Sequence, residues 1–105
     1  MTIQLLEEES DVVVARLETA IGTLLVMAEI ELVESLLILR GLHIQGENVG
    51  VNELGVIGIR RIIRDTMEHL NVDAIVIEGA IRTTGASPGR RPRRLRFTRK
   101  IFSEK

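Results

Sequence analysis

The first half of the chain alternates apolar and polar residues in a pattern that predicts β-strands. Asp11–Glu18 is rich in β-branched apolar residues, and the glycine-containing segment Thr19–Thr23 after it predicts a turn. The second half of Leu24–Leu32 alternates apolar residues with glutamates, as expected for a sheet with one face in water. A helix over Ile21–Leu39 is the alternative, because Leu, Met, Ala and Glu favour helices, but the end of that run is poor in helix signals.

Ser35–Gln45 predicts the next strand. Strict alternation places Leu36, Ile38, Leu42 and Ile44 on one face and Leu37, Leu39, His43 and Gln45 on the other. Arg40 breaks this pattern, because it places a charge among the apolar side chains.

The second half of the chain changes to a helical period over about residues 52–70. Isoleucines recur there at helical spacing, arginines lie mostly on the opposite side, Asn52 suits the start of the helix and Asn71 suits its end. Asp73–Glu78 predicts a short central strand buried on both faces, and Leu95–Phe102 resumes alternation as the last strand. These elements together predict an α+β fold, with an antiparallel sheet of about five strands packed against one main helix.

The composition indicates a single domain over residues 1–105, with 45% hydrophobic and 28% charged residues. The chain has no cysteine, which excludes disulfides, thiolate metal sites and cysteine nucleophiles and favours a cytoplasmic location. No apolar run approaches the roughly 20 residues of a membrane span, and the acidic N-terminus does not resemble a signal peptide. No residue spacing indicates a metal site, so we expect no bound metal. We also expect no cofactor, and the absence of a membrane-spanning run predicts no membrane partner.

The charges divide the chain into two unequal parts. Residues 1–80 contain five arginines and fourteen acidic residues, a net charge of −9, whereas residues 81–105 carry a net charge of +8. Such asymmetry predicts that the basic end binds an anionic partner. The alternative is that the basic end neutralises the acidic body, either within one chain or between subunits.

The most distinctive segment is Arg82–Lys100, which reads RTTGASPGRRPRRLRFTRK. Its glycines permit unusual backbone conformations, its hydroxyl groups support local turns, and arginine forks match phosphate oxygens two at a time. The spacing is not that of a P-loop. Six arginines within Arg90–Arg99 exceed what protection of an edge strand requires, although that explanation stays open. The predicted phosphate-binding or nucleic-acid-binding residues are Arg82, Thr83, Thr84, Ser87, Arg90, Arg91, Arg93 and Arg94.

The two histidines are the only side chains that ordinarily titrate near pH 7. His43 is the candidate general acid or base for phosphodiester cleavage, in which arginines would stabilise charge on the phosphorus centre. His69 comes near the end of the predicted helix, where a positive charge suits the helix dipole, and is expected to be a surface residue. The catalytic hypothesis requires His43 to lie close to the arginine-rich segment.

One quarter of the chain carries a family resemblance. The positions that carry it are Glu78, Arg82, Thr83, Thr84, Gly85, Pro88, Gly89, Arg90, Pro92 and Phe97. On these residues, Val72–Arg99 resembles the C-terminal toxin domains of bacterial polymorphic toxins of the Rhs type and related classes. Some of those domains belong to the barnase–EndoU–colicin–RelE group of ribonuclease folds, so the resemblance implies action on RNA.

Three functions remain open from the sequence. The leading hypothesis is a nucleic-acid-directed domain, extending to a metal-independent ribonuclease that holds RNA phosphates with the arginine-rich segment. The alternative is a non-catalytic interaction protein whose basic end binds an acidic protein surface or a second copy of residues 1–80. The third is a binder of small anions. Whether the chain is catalytic is left open.

Overall fold

The computed structural model describes residues 1–48, 51–79, 82–83 and 94–99, and of residues 51–53 and 82–83 it describes the backbone only. The elements in chain order are β1 (Thr2–Glu9), β2 (Val12–Glu18), β3 (Thr23–Val33), β4 (Leu36–Gly46), α1 (Val51–Leu70), β5 (Ala74–Glu78), β6 (Arg82–Thr83) and β7 (Arg94–Thr98). The strands lie in the order β1-β2-β3-β4-β5-β7, and the short β6 pairs with β4. One mostly antiparallel sheet with one helix confirms the predicted α+β class.

The first four strands form an antiparallel meander joined by short turns. The turn between β2 and β3 lies where the sequence predicts it, and the Thr19 hydroxyl accepts hydrogen bonds from the amides of Ile21 and Gly22, both at 3.1 Å. The other two hairpins turn through Ser10 and Glu34, whose φ angles are 55° and 56°. Residues other than glycine seldom adopt this left-handed conformation, so both turns carry some backbone strain.

Two features of the sheet add to the expected fold. The edge strand β1 was not predicted, because a bulge between Leu5 and Glu7 interrupts the alternation of its side chains. The strand β5 runs parallel to β4, with Leu36–Arg40 beside Ala74–Glu78, whereas the prediction was antiparallel throughout. The physical reason is the crossover through α1, which returns the chain to the same end of the sheet before β5 begins.

The core lies between α1 and one face of the sheet. Ile62, Ile63 and Met67 are buried on the helix, which confirms the isoleucine spacing of the predicted apolar stripe, whereas Leu70 at its end is exposed. The strand β5 is central and buried on both faces, as predicted: Ile77 belongs to the core beneath the helix, and Val76 on the opposite face is also 0% exposed.

The helix begins within one residue of its predicted start and is kinked near that end. Gly55 has φ 66° and ψ −177°, a combination that is open essentially to glycine alone. At the other end, Asn71 adopts φ 58° and confirms the predicted left-handed stop. His69 is exposed in the last turn, as predicted, and the side chain of Asn52, the predicted cap, lies outside the described part of the chain.

A bulge at Gly41 decides which way the end of β4 faces. Glu29 pairs with Arg40 and Met27 pairs with His43, so two residues of β4 lie opposite one residue of β3. Gly41 has φ 65°, the left-handed conformation that glycine supplies in bulges of this kind.

Because of this bulge, the β4 side chains after residue 40 no longer follow strict alternation between the two faces of the sheet. Leu42 and Ile44 are buried in the core beneath the helix, together with Leu37 from before the bulge. His43 therefore lies on the same face as Arg40, opposite α1, and the predicted division of β4 side chains between the faces was wrong. We call the sheet surface opposite α1 the open face.

Candidate functional site

A row of charged side chains crosses the open face over four strands. Arg40 of β4 lies between two carboxylates, with Nη2 2.9 Å from Oε1 of Glu31 and Nε 2.9 Å from Oε1 of Glu78. On the other side of Glu78, Nε of Arg94 lies 3.6 Å from Oε2. The hydrogen bond to Glu31, followed in size by the hydrogen bond to Glu78, raises the pKa of Arg40 above its ordinary value. Burial acts in the opposite direction. Nε and Nη2 of Arg40 are therefore already engaged by carboxylates.

The ion pairs of this row orient the Glu78 carboxylate and add little to the stability of the fold. The side chains of Arg40, Glu31 and Glu78 are all about one-third to one-half exposed, and ion pairs in contact with water contribute little to stability. Their effect is to hold the Glu78 carboxylate between two guanidinium groups. Glu78 is the last residue of β5, so this arrangement lies at the end of that strand.

His43 lies beside the first residue of the arginine-rich segment. The strand β6 pairs in parallel with the end of β4, with His43 opposite Arg82 and Ile44 opposite Thr83. Neighbouring strands are about 4.8 Å apart, so the backbones of His43 and Arg82 are in direct contact. His43 is half-buried on the open face. This register brings the backbone of His43 to the start of the arginine-rich segment.

The approach of β6 to β4 depends on two glycines. β5 ends beside Arg40, and the chain then passes Gly79, whose φ is 86°, before β6 resumes pairing beside His43. A Cβ atom built on Gly79 would lie 3.9 Å from the amide nitrogen of Gly41, so the two glycines face each other where both strands deviate. The bulge in β4 and the break between β5 and β6 are therefore one local feature.

The three arginines of β7 and its end have different environments. Arg94 and Arg96 are exposed on the open face, and Arg94 keeps 64% of its side-chain surface in water despite its distant pairing with Glu78. Arg99 instead binds the end of α1, donating to Oδ1 of Asn71 at 3.2 Å and to the carbonyl of Met67 at 3.4 Å. A cation at this position complements the helix dipole. Arg99 is therefore a structural residue, while Arg94 and Arg96 are available to a ligand.

The described residues contain part of the predicted site. Arg94 lies on the open face, two strands from His43. Arg82 and Thr83 are described by their backbone only, as β6. The other predicted residues lie outside the described part of the chain: Thr84, Ser87, Arg90, Arg91 and Arg93.

Sequence reasoning missed a second polar cluster at the β1–β2 side of the open face. Arg16 donates to Glu47 at 3.0 Å and to Gln4 at 3.2 Å, and the hydrogen bond to Glu47 is the main cause of its raised pKa. Both this cluster and the row around Arg40 join residues nine or more positions apart. The one signal in the sequence for this row is that Arg40 interrupts an otherwise apolar strand.

The described residues contain neither a metal-ion cluster nor a membrane-spanning helix. Among residues 1–48, 51–79, 82–83 and 94–99, no three histidine, aspartate or glutamate side chains lie close enough together to hold a metal ion. Within the same ranges, no helix is both long and apolar enough to cross a membrane.

The chain matches no family model, no curated protein and no solved structure at a significant level.

Proposed function

We propose that this protein is an RNA-directed domain that binds phosphates at the β4–β6–β7 end of its open face. The observation that carries the proposal is the pairing of His43 with Arg82, which joins the only half-buried histidine to the start of the arginine-rich segment. Arg94 and Arg96 add exposed guanidinium groups on the same face. The proposed RNA surface consists of His43, the backbone of β6, Arg94 and Arg96.

Arginine suits this task for a physical reason. Its planar fork binds phosphate oxygens in a bidentate manner, and release of the counterions condensed on the nucleic acid supplies much of the affinity. The chain has only 2% aromatic residues, and Phe97 packs against the core, so stacking on bases contributes little. Binding should therefore be sensitive to salt and tolerant of sequence.

The proposal extends to metal-independent cleavage, with His43 as the proton-transfer group. In such a reaction the histidine accepts the proton of a ribose 2′-hydroxyl as that oxygen attacks the adjacent phosphorus. The bond to the 5′-oxygen breaks, the 5′-oxygen takes up a proton from water, and a 2′,3′-cyclic phosphate remains. Arginines stabilise the negative charge that develops on the phosphate oxygens. A cytoplasmic location suits this function, since a chain without cysteine loses no bonds in a reducing compartment.

Binding is tested by measuring the affinity for a single-stranded RNA at several salt concentrations. Replacing Arg94 and Arg96 by alanine should weaken binding and flatten the slope of log affinity against log salt by about 1.4, because each lost phosphate contact accounts for about 0.7. Arg60→Ala with Arg61→Ala is the matched control, since it removes two exposed arginines of α1. Equal losses in both double variants would refute the assignment to the open face.

Cleavage is tested separately with RNA in EDTA. The wild type should cleave, His43→Ala should reduce the rate by at least about a hundredfold, and His69→Ala, which alters the exposed histidine at the helix end, should cleave normally. If the wild type binds RNA but leaves it intact, the catalytic extension is wrong and the binding proposal stands.

A second candidate function is the binding of an acidic protein surface. The observation that favours it is that Glu78 already holds Arg94 and Arg40 in carboxylate pairs on this face. An acidic partner would extend the same chemistry. A competition experiment distinguishes the two candidates. If displacing bound RNA takes a far higher concentration of polyglutamate peptide than of competing RNA, the acidic-protein candidate is rejected.

A further inference from the structure

An apolar patch lies on the open face directly beside His43. Met27 of β3 pairs with His43 on one side and with Val14 of β2 on the other, so these three residues form a row across neighbouring strands. Val12 and Met27 are 41% and 45% exposed, and Val14 and Leu25 are half-buried. Their neighbours along both strands pack in the core or against it, so alternation turns these four apolar side chains away from α1. We call this patch the apolar platform; it consists of Val12, Val14, Leu25 and Met27.

Charge divides the open face into two halves. Glu7 and Glu9 of β1 and Glu29 of β3 are exposed and border the apolar platform, because each pairs with one of its two valines. The exposed arginines Arg94 and Arg96 lie at the opposite edge of the sheet, on β7. Carboxylates repel phosphate groups and guanidinium groups attract them. The β1–β3 half therefore suits the uncharged part of a nucleotide, which is its base.

We propose that the apolar platform binds the base of the nucleotide whose 2′-hydroxyl group lies at His43. This inference rests on the proposed RNA function and orients the RNA, with its phosphates toward β6 and β7 and this base over β2 and β3. Neighbouring strands are about 4.8 Å apart, so Met27 lies one strand spacing from His43 and Val14 lies two, about 10 Å away. A base attached to a ribose at His43 fits within that span.

The platform contacts the flat face of the base with aliphatic side chains instead of aromatic rings. Burial of apolar surface is non-directional and every base has such a face, so the contact adds affinity without selecting a sequence. Methionine is unbranched and adapts its shape to a purine or to a pyrimidine. A base that covers about 50 Å² of apolar surface should bind about tenfold more tightly than an abasic nucleotide.

Position and charge favour a nucleobase over other occupants. The platform begins at the cross-strand neighbour of His43, so a ribose held at the histidine brings its base to the edge of the platform. An acidic protein surface would meet the three bordering glutamates. A second copy packed platform against platform would bring the same three glutamates of both copies to one contact, where like charges repel.

The test compares a single-stranded RNA with an abasic oligomer of the same length, which keeps the riboses and phosphates. The full-length wild type should bind the RNA about tenfold more tightly than the abasic oligomer at one salt concentration. Met27→Ala should lower this ratio to about threefold and leave the affinity for the abasic oligomer unchanged, because it removes part of the platform. Arg94→Ala with Arg96→Ala should weaken the binding of both oligomers alike.

Two valines of nearly equal exposure supply a matched control. Val12 belongs to the platform and is 41% exposed, whereas Val33 lies on the same face at the end of β3 that is far from His43 and is 44% exposed. Val12→Ala should lower the ratio of the two affinities by about twofold, and Val33→Ala should keep the wild-type ratio. Both side chains are exposed, so both variants should keep the fold, which an unchanged urea midpoint checks.

Three results would overturn the base site alone. Equal affinities of the wild type for RNA and for the abasic oligomer would leave the RNA proposal standing without a base site. A wild-type ratio in Met27→Ala would place the base elsewhere on the protein. Dimers of the wild type in sedimentation that Met27→Ala abolishes would assign the platform to a second copy of the chain. A wild type that binds neither oligomer would overturn the RNA proposal itself, and the base site with it.

Discussion

The same substitution at two isoleucines should have very different effects on the free energy of unfolding. Ile77 is 0% exposed in the central strand β5, where Leu39 and Leu95 are its neighbours on the flanking strands. Ile77→Ala removes three buried carbon atoms, which at about 0.8 kcal/mol each gives about 2.4 kcal/mol before any cavity term. With the cavity included we expect a loss of about 3–4 kcal/mol, within the range measured for such substitutions.

Ile57 is 85% exposed on α1, so Ile57→Ala removes little buried surface. Alanine also has the higher helix propensity, and we expect a change of about zero, within ±0.5 kcal/mol. The pair therefore compares one chemical change at the most buried and the most exposed isoleucine of the described residues.

The measurement is urea unfolding of the wild type and both variants at one common protein concentration. With an m-value of about 1–3 kcal/mol/M, Ile77→Ala should lower the midpoint by about 1–4 M at unchanged m, and Ile57→Ala should leave it in place. If the variant at Ile77 is too unstable to measure, Ile77→Val should cost about 0.5–1.5 kcal/mol. Losses within about 1 kcal/mol of each other for the two alanine variants would refute the described core.

Three further predictions concern single features of the fold. Arg99→Ala should lower the free energy of unfolding by about 1 kcal/mol, because it removes the cation that binds the end of α1, while Arg96→Ala changes it by less than about 0.5 kcal/mol; chemical denaturation of both checks this. Gly55→Ala should cost about 1–3 kcal/mol from backbone strain alone, since no atom lies within 4 Å of the added Cβ, and an unchanged thermal midpoint would contradict the kink. Glu34→Asn should stabilise the protein by about 0.5 kcal/mol, because asparagine tolerates positive φ, and a lower urea midpoint would count against the β3–β4 turn.

Elements with a strong local period were predictable from the sequence. The alternation in β2 and β3, the isoleucine spacing of α1 and the apolar run of β5 each fixed an element without reference to the rest of the chain. β1 was not predictable in this way, because the bulge after Leu5 places successive residues out of phase. The direction of β5 was not predictable from its own residues either, since it depends on the crossover through α1.

The candidate site was only partly predictable, because its residues meet through tertiary packing. Composition alone marked the arginine-rich segment, but it could not separate Arg99 from Arg96. That difference depends on Asn71, which α1 brings to the end of β7. The side of the sheet on which His43 lies depends on the bulge at Gly41, and one inserted residue in a strand reverses every later side chain.

The most direct test of the RNA proposal is to locate bound RNA on the protein by NMR. Single-stranded RNA is titrated into ¹⁵N-labelled full-length chain, and the amide shifts are followed at low and high salt. The account predicts shifts concentrated at His43, the β6 residues Arg82–Thr83 and Arg94–Arg96, reduced by high salt. Shifts confined to Arg60, Arg61 and Arg64 of α1, or none at saturating RNA, would contradict it.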